Sequence, residues 1–231
     1  MLVGMWMNRE PVTVRPSLPI ARAAALLSRR HIRRLLVTDA EPPAGRLLGI
    51  VTQHDIDRSF PPDLNPHSII AGEGGPARPV RELMACELRT VTPETPIEEA
   101  AQVLLAHKIG ALPVLHASGV LAGIITESDI FRAFCEVLGA GAPGVRLTID
   151  LSREDEDAVG QVVELARRHR LRVASVLTML HEERWLAVIR LVGRDCDALI
   201  DDVWRSGHRV LSVLRSGMEP RTARQASAAT T

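Results

Sequence analysis

Gly49-Ile50-Val51-Thr52-Gln53-His54-Asp55 and Gly123-Ile124-Ile125-Thr126-Glu127-Ser128-Asp129 are near-copies of one stretch, and the reading of that stretch decides the rest. Each starts as a short apolar strand (Leu47 to Val51, Val120 to Ile125) and runs into a helix start. Thr-x-x-Asp is a capping signature: the hydroxyl accepts from the backbone N–H three residues on, and the carboxylate suits the positive end of the helix dipole. Free N–H groups and a hydroxyl at a helix start can also hold an anion. A cap and a phosphate-and-ribose clamp are both open at this point.

The surrounding sequence is duplicated. Pro16-Ser17-Leu18-Pro19-Ile20 returns at an offset of 77 as Pro93-Glu94-Thr95-Pro96-Ile97, with Met7, Thr13, Val14 and Val37 matched by Met84, Thr90, Val91 and Val114. Past the longer turn Asp39–Arg46 the offset is 74, pairing Asp55 with Asp129 and Phe60 with Phe134. Such self-similarity marks a repeated structural unit, and neither copy alone has a comfortable core. The two should pack face to face about an approximate two-fold axis.

Each copy reads extended segment, helix, strand, turn, strand, helix. Ile20, Ala23, Ala24 and Leu27 in the first, and Ile97, Ala100, Ala101 and Leu104 in the second, follow the i, i+3, i+4, i+7 spacing of one buried helical face. Thr95, Pro96 and Glu98 predict an N-cap, a first helical position and a capping box. Strands are expected at Leu35–Thr38 and Ala111–Leu115. The first copy thus spans 1–60 and the second 80–138, joined by a Pro- and Gly-rich linker, 61–79. Gly72–Pro76 within it lacks the Lys-Ser/Thr of a phosphate loop.

A second Gly-rich junction, 139–145, opens a different pattern. Strand Arg146–Leu151, helix Glu154–His169, strands Arg172–Leu180 and Arg184–Val192, helix Asp195–Ser206 and strand His208–Leu214 give βαββαβ over 146–215, a ferredoxin-like order. Residues 216–231 read as a disordered tail. The fold class is α+β.

Composition narrows the function. Lys plus Arg and Asp plus Glu balance at 28 each, so net charge predicts no nucleic-acid or membrane-surface partner. Three scattered cysteines fit no metal or redox spacing and suit a cytoplasmic protein. The histidines form no paired-ligand motif, and no apolar run reaches the roughly 18–20 residues of a membrane span. The absence of a nucleophile elbow, a paired-histidine site and a phosphate loop argues against an enzyme.

The duplicated Gly-apolar-apolar-Thr-x-x-Asp unit, with Ile109-Gly110-Ala111-Leu112-Pro113-Val114, resembles the cystathionine-β-synthase (CBS) domain, whose tandem pair is the Bateman module. The last third resembles an ACT-type regulatory domain, and the order CBS, CBS, ACT is similar to the acetoin-utilisation protein B family. The resemblance implies a pseudo-two-fold pair of βαββα repeats with up to two adenosine-ligand sites in their cleft. It implies that Asp55 and Asp129 hold ribose hydroxyls and that Thr52 and Thr126 face ribose or phosphate. Thr13, Val14, Thr90, Val91, Ile32, Ile109 and Ala111 would flank the adenine, with Arg33, Arg34 or His54 facing phosphate. A carboxylate can accept from two neighbouring hydroxyls, and a guanidinium neutralises phosphate.

Each of these residues has a plainer reading. Thr-x-x-Asp can serve as a cap alone, worth about 1 kcal/mol. Arg33 and Arg34, standing where the second copy has Gly110 and Ala111, could grip phosphate or close the site, so the sites should be unequal. His54 fits an exposed helix-start position, and Ser128 matches it. In the last third, the acidic run Asp150–Asp157 lacks the Pro or Gly of amino-acid-binding ACT turns, and His181-Glu182-Glu183 reads as a solvated turn. The leading expectation is a non-catalytic regulatory protein. It requires no cofactor, binds AMP, ADP, ATP or a related adenosine ligand, and reports to an unknown regulated protein. Homodimerisation through CBS pairs or ACT-like sheets is expected. The alternative is a structural or interaction module with empty sites.

Overall fold

The computed structural model describes residues 1–40, 45–60, 78–151, 157–193 and 196–216. Residues 61–77 of the linker (with Gly72–Pro76), Ser152–Glu156 of the acidic run and the tail beyond Ser216 lie outside the described residues. The chain divides into two compact units, Met1–Phe131 and Arg132–Thr231.

The first unit holds both repeats. Its first repeat comprises β1 (Thr13–Val14), α1 (Ile20–Arg30), β2 (Arg34–Thr38), β3 (Leu47–Thr52) and α2 (Gln53–Asp57). The second comprises α3 (Ile97–His107), β4 (Ala111–Leu115), β5 (Leu121–Thr126) and α4 (Glu127–Val137), the last running past the unit boundary. β2 pairs antiparallel with β3, and β4 with β5, each with a register shift at the matching Val37/Thr38 and Val114/Leu115 steps. β1 runs parallel to β2; its counterpart is a single parallel bridge from Val91 to Val114. The expected helical stripe is buried: Ile20, Ala23, Ala24 and Leu27 pack with Leu35, Val37 and Val51. A second cluster joins the repeats, with Leu36 from the first against Ala111 and Ile124 from the second. Burying one such leucine contributes about 1.5–3 kcal/mol.

The lead-in segments cross. Val3 and Gly4 N–H groups donate to Thr95 O and Pro93 O, and Asn8 exchanges backbone bonds with Ile124, so the chain's first residues belong to the second repeat's fold. Conversely, Val80 and Arg81 donate to Leu18 O and Pro16 O, and Ala85 pairs with Ile50. This crossing supplies the helix starts. Ile20 N–H donates to Arg78 O and Ile97 N–H to Met1 O, both at 2.9 Å. The expected Thr95 cap is accordingly corrected: α3 begins after Pro96 without any side-chain cap, and Thr95 Oγ1 instead accepts from Thr92 N–H at 3.0 Å. With Met1 O already serving the helix start, the hydroxyl closes the preceding turn, and Glu98 forms no capping box.

The crossing also explains the glycine that opens each motif copy. A Cβ on Gly49 would stand 2.8 Å from Ala85 O, and one on Gly123 would overlap Asn8 O. The partner segment's backbone passes where a side chain would be.

The second unit follows the expected order: β6 (Gly144–Asp150), α5 (Ala158–Arg168), β7 (Arg172–His181), β8 (Arg184–Val192), α6 (Asp197–Arg205) and β9 (Val210–Ser216). Its antiparallel sheet is ordered β7-β8-β6-β9. Alternate residues Val145, Leu147 and Ile149 of β6 and Ala187, Ile189 and Leu191 of β8 pack with Val162, Ala166, Leu199 and Val203 of the two helices. The β7–β8 turn places Glu182 and Glu183 at φ 48° and 62°, the double left-handed geometry of a two-residue hairpin, and both are exposed. Arg190 is 1% exposed, and its guanidinium donates to the carbonyls of Gly139, Ala142 and Leu191, tying the junction turn to the sheet.

Candidate functional site

Both motif copies close the same capping box. Thr52 N–H and Oγ1–H donate to Asp55 Oδ2 at 2.9 and 2.7 Å, while Asp55 N–H donates back to Thr52 Oγ1 at 3.3 Å. In the second repeat the distances are 2.9, 2.7 and 3.4 Å for Thr126 and Asp129. Capping by itself explains this geometry. Each box closes on the Oδ2 oxygen of its aspartate.

Each box stands at the edge of a cavity whose opposite wall comes from the other repeat. The cavity beside Thr126 and Asp129, about 460 Å³, is lined by Asn8, Pro11, Val12, Ile32, Arg33 and Arg34 of the first half, with Gly110 and Glu127. The cavity beside Thr52 and Asp55, about 480 Å³, is lined by Ala85, Leu88, Arg89, Lys108, Ile109 and Ala111. At the offset of 77, Asn8 matches Ala85, Pro11 matches Leu88, Val12 matches Arg89 and Ile32 matches Ile109. The two cavities are the same crevice built twice by the internal repeat. Volumes of this order hold a nucleoside-sized ligand.

His31 and Lys108, at φ 50° and 52°, terminate α1 and α3 in the left-handed region, and each lines a cavity. The turn they make aims the following strand into the crevice. The charge on the two walls differs. Arg33 and Arg34 of the first repeat stand where the second has the small Gly110 and Ala111. Arg34 is half-buried and lines both cavities, and a Cβ on Gly110 would overlap its Nη2 and come within 3.1 Å of Glu127 Oε2. Desolvation pushes the Arg34 pKa below its ordinary value, with neighbouring Arg33 adding to this and Glu127 opposing it. Among the described residues, no acceptor takes a hydrogen bond from Arg34.

The structure thus brings Thr52, Asp55, Thr126, Asp129, Ile32, Ile109, Ala111, Arg33 and Arg34 to the two crevices. Others of the expected set lie elsewhere. Val14 and Val91 are buried, their strand residues pairing with Val37 and Val114. Thr13 is half-buried in β1, and Thr90 lines a separate cavity between the hairpins, beside Leu47 and Val120. His54 is exposed on α2 and lines neither crevice. Sequence reasoning missed Asn8, Pro11 and Val12 with Ala85, Leu88 and Arg89. The signal was available: they sit one to five residues before Thr13 and Thr90 and match at the same offset. Among the described residues, no group of three or more His, Cys, Asp and Glu side chains could hold a metal ion. No described helix is long and apolar enough to cross a membrane.

A duplicated α+β unit whose halves exchange lead-in segments and share two equivalent crevices defines a tandem repeat module. The sequence profile of the CBS domain matches residues 3–61 and 80–136, half of the chain. The chain belongs to the CBS-domain family. A CBS domain-containing protein of Dictyostelium discoideum is 30% identical over 141 residues, covering 59% of this chain and 93% of the relative. Among solved structures, a candidate acetoin utilization protein of Vibrio cholerae is 29% identical, with 60% of this chain and 93% of that one covered and a TM-score of 0.49. CBSX2, solved in complex with AMP, is also 29% identical, with coverages of 59% and 97% and a TM-score of 0.48. The chain spans only part of other curated relatives, such as 23% of the inosine-5'-monophosphate dehydrogenase of Nitrosopumilus maritimus.

Proposed function

We propose that this protein is a non-catalytic regulator that binds an adenosine-containing ligand in one or both crevices. The observation that carries the reading is the paired construction: each Thr-x-x-Asp box faces a strand entry contributed by the other repeat. Asp55 and Asp129 would accept from ribose hydroxyls, with Thr52 and Thr126 beside them. Ile32 in one crevice, and Ile109 with Ala111 in the other, would flank the base. Arg33 and Arg34, with Lys108 and Arg89 opposite, would meet phosphate. Because each crevice takes walls from both repeats, a ligand there binds one arrangement of the pair better than another, which is what coupling to a partner requires.

The second unit is the element we propose to convey that state. Its sheet order, with both helices packed on one face, fits a ferredoxin-like, ACT-type domain. Homodimerisation, a regulated partner protein and a cytoplasmic setting, with acetoin or related carbon metabolism as the candidate pathway, complete the proposal.

The boxes are also satisfied as caps, which favours a second reading in which the module is structural and its crevices stay empty. Isothermal titration of the full chain with AMP, ADP and ATP separates the two. Saturable heat with any of them, reduced in Asp129→Ala or Asp55→Ala and abolished in the double variant, supports the sensor; no heat with all three favours the structural module. Mass spectrometry of small molecules released from purified protein identifies the natural ligand.

A further inference from the structure

We infer that the two crevices compete for one cation, Arg34, so that a phosphorylated ligand in one weakens phosphate binding in the other. This rests on the adenosine-ligand reading above. Arg34 and Gly110 line both cavities, and the guanidinium lies against the Gly110 backbone, where the two approach each other. The repeat does not supply a second copy. Arg34 is matched by Ala111, so a two-fold crevice pair is served by one central guanidinium.

Among the described residues no hydrogen bond ties the Arg34 guanidinium to either side. Glu127, the carboxylate that opposes the lowering of its pKa, lines only the Thr126 crevice. A half-buried guanidinium with unused donors gains most from a phosphate, whose oxygens match its fork. Once it has turned to a phosphate on one side, the other crevice loses that charge. Its other basic side chains, Arg33 with His31 in one case and Arg89 and Lys108 with His107 in the other, line only that crevice. The coupling therefore depends on the ligand's phosphate. A ligand with the same base and sugar but no phosphate should fill the crevices independently.

The test is calorimetric titration of the full chain with AMP and with adenosine. The variants Asp55→Ala and Asp129→Ala each disable one crevice. If either melts early, Asp55→Asn and Asp129→Asn replace them, since an amide oxygen still accepts in the box. The expected result is that the second AMP binds the native protein at least about five-fold more weakly than AMP binds that same crevice in the corresponding single-crevice variant. Adenosine shows no such difference, and Arg34→Ala removes it for AMP. Equal affinities for the second AMP and the single-crevice variant overturn the inference while leaving the ligand reading intact. So does a difference that survives Arg34→Ala. Absence of binding by both AMP and adenosine overturns the ligand reading, and the competition with it.

Discussion

The two repeats of the first unit share a backbone plan and differ in what they place on it. Register shifts fall at Val37/Thr38 and Val114/Leu115, the left-handed helix ends at His31 and Lys108, and the boxes at Thr52 and Thr126 agree within 0.1 Å. The strand entries do not agree: two arginines in one, glycine and alanine in the other. The crevices keep Ile32 and Ile109, Thr52 and Thr126, and Asp55 and Asp129 in both copies, while Arg34 against Ala111 and Val12 against Arg89 diverge. The pair is symmetric as a scaffold and asymmetric as a binding surface.

The largest effect should come where the repeats meet. Leu36 is fully buried and packs against Ala111 and Ile124 of the other repeat. Leu36→Ala should cost about 2–5 kcal/mol in urea denaturation. Because the cluster is shared, both repeats should lose stability in one transition. If the first repeat alone unfolded earlier, with the second unchanged, the repeats would be independent bodies and the shared-crevice argument would lose its footing.

Next come the motif glycines. Gly49→Ala and Gly123→Ala place a methyl group against a backbone carbonyl that cannot swing away, which should cost about 1–3 kcal/mol each. Gly123 has the closer approach and should stand at the upper end. Gly110→Ala meets the end of the Arg34 side chain, and Glu127 at 3.1 Å, so it should cost less than either. The crossing of the lead-in segments predicts that order among the three glycines; thermal melts giving Gly110→Ala the largest loss would contradict it.

Much of this was legible in the chain. The two offsets paired the repeats, and Thr-x-x-Asp fixed two strand-to-helix turns through bonds between neighbours three residues apart. What was not legible depends on partners far away in sequence. Met1 O serves the Ile97 N–H, which makes a Thr95 cap unnecessary, and no local pattern announces that bond. The crevice walls fall in the same class. Thr13 and Thr90 looked suitable beside the strand, yet the residues that line the crevices lie on the crossing segments, Asn8 to Val12 and Ala85 to Arg89. Arg34 could be read as a site residue from its position, but its place between two cavities needed the packing of Gly110.

The caps give a smaller contrast. Thr52→Ala and Thr126→Ala should each cost about 1 kcal/mol. α2 has five residues and α4 eleven. A single turn depends more on its cap because little propagation follows nucleation. Hydrogen exchange in Gln53–Asp57 should therefore accelerate more than in Glu127–Val137. Equal acceleration in both would mean that tertiary packing, and not the box, holds α2.

The smallest effect tests the symmetry most directly. His31 and Lys108 are exposed residues in the left-handed region at φ 50° and 52°. That conformation costs an L-residue about 1–2 kcal/mol, and glycine gives back about 0.5–1 through unfolded-chain entropy. His31→Gly and Lys108→Gly should thus each stabilise the protein by up to about 1 kcal/mol, and by the same amount. A difference in sign between them, read from paired urea titrations, would mean that one side chain is held by contacts its twin lacks. Equal gains would place both at backbone-determined positions, where the repeat is preserved, and would confine its asymmetry to the strand entries that follow.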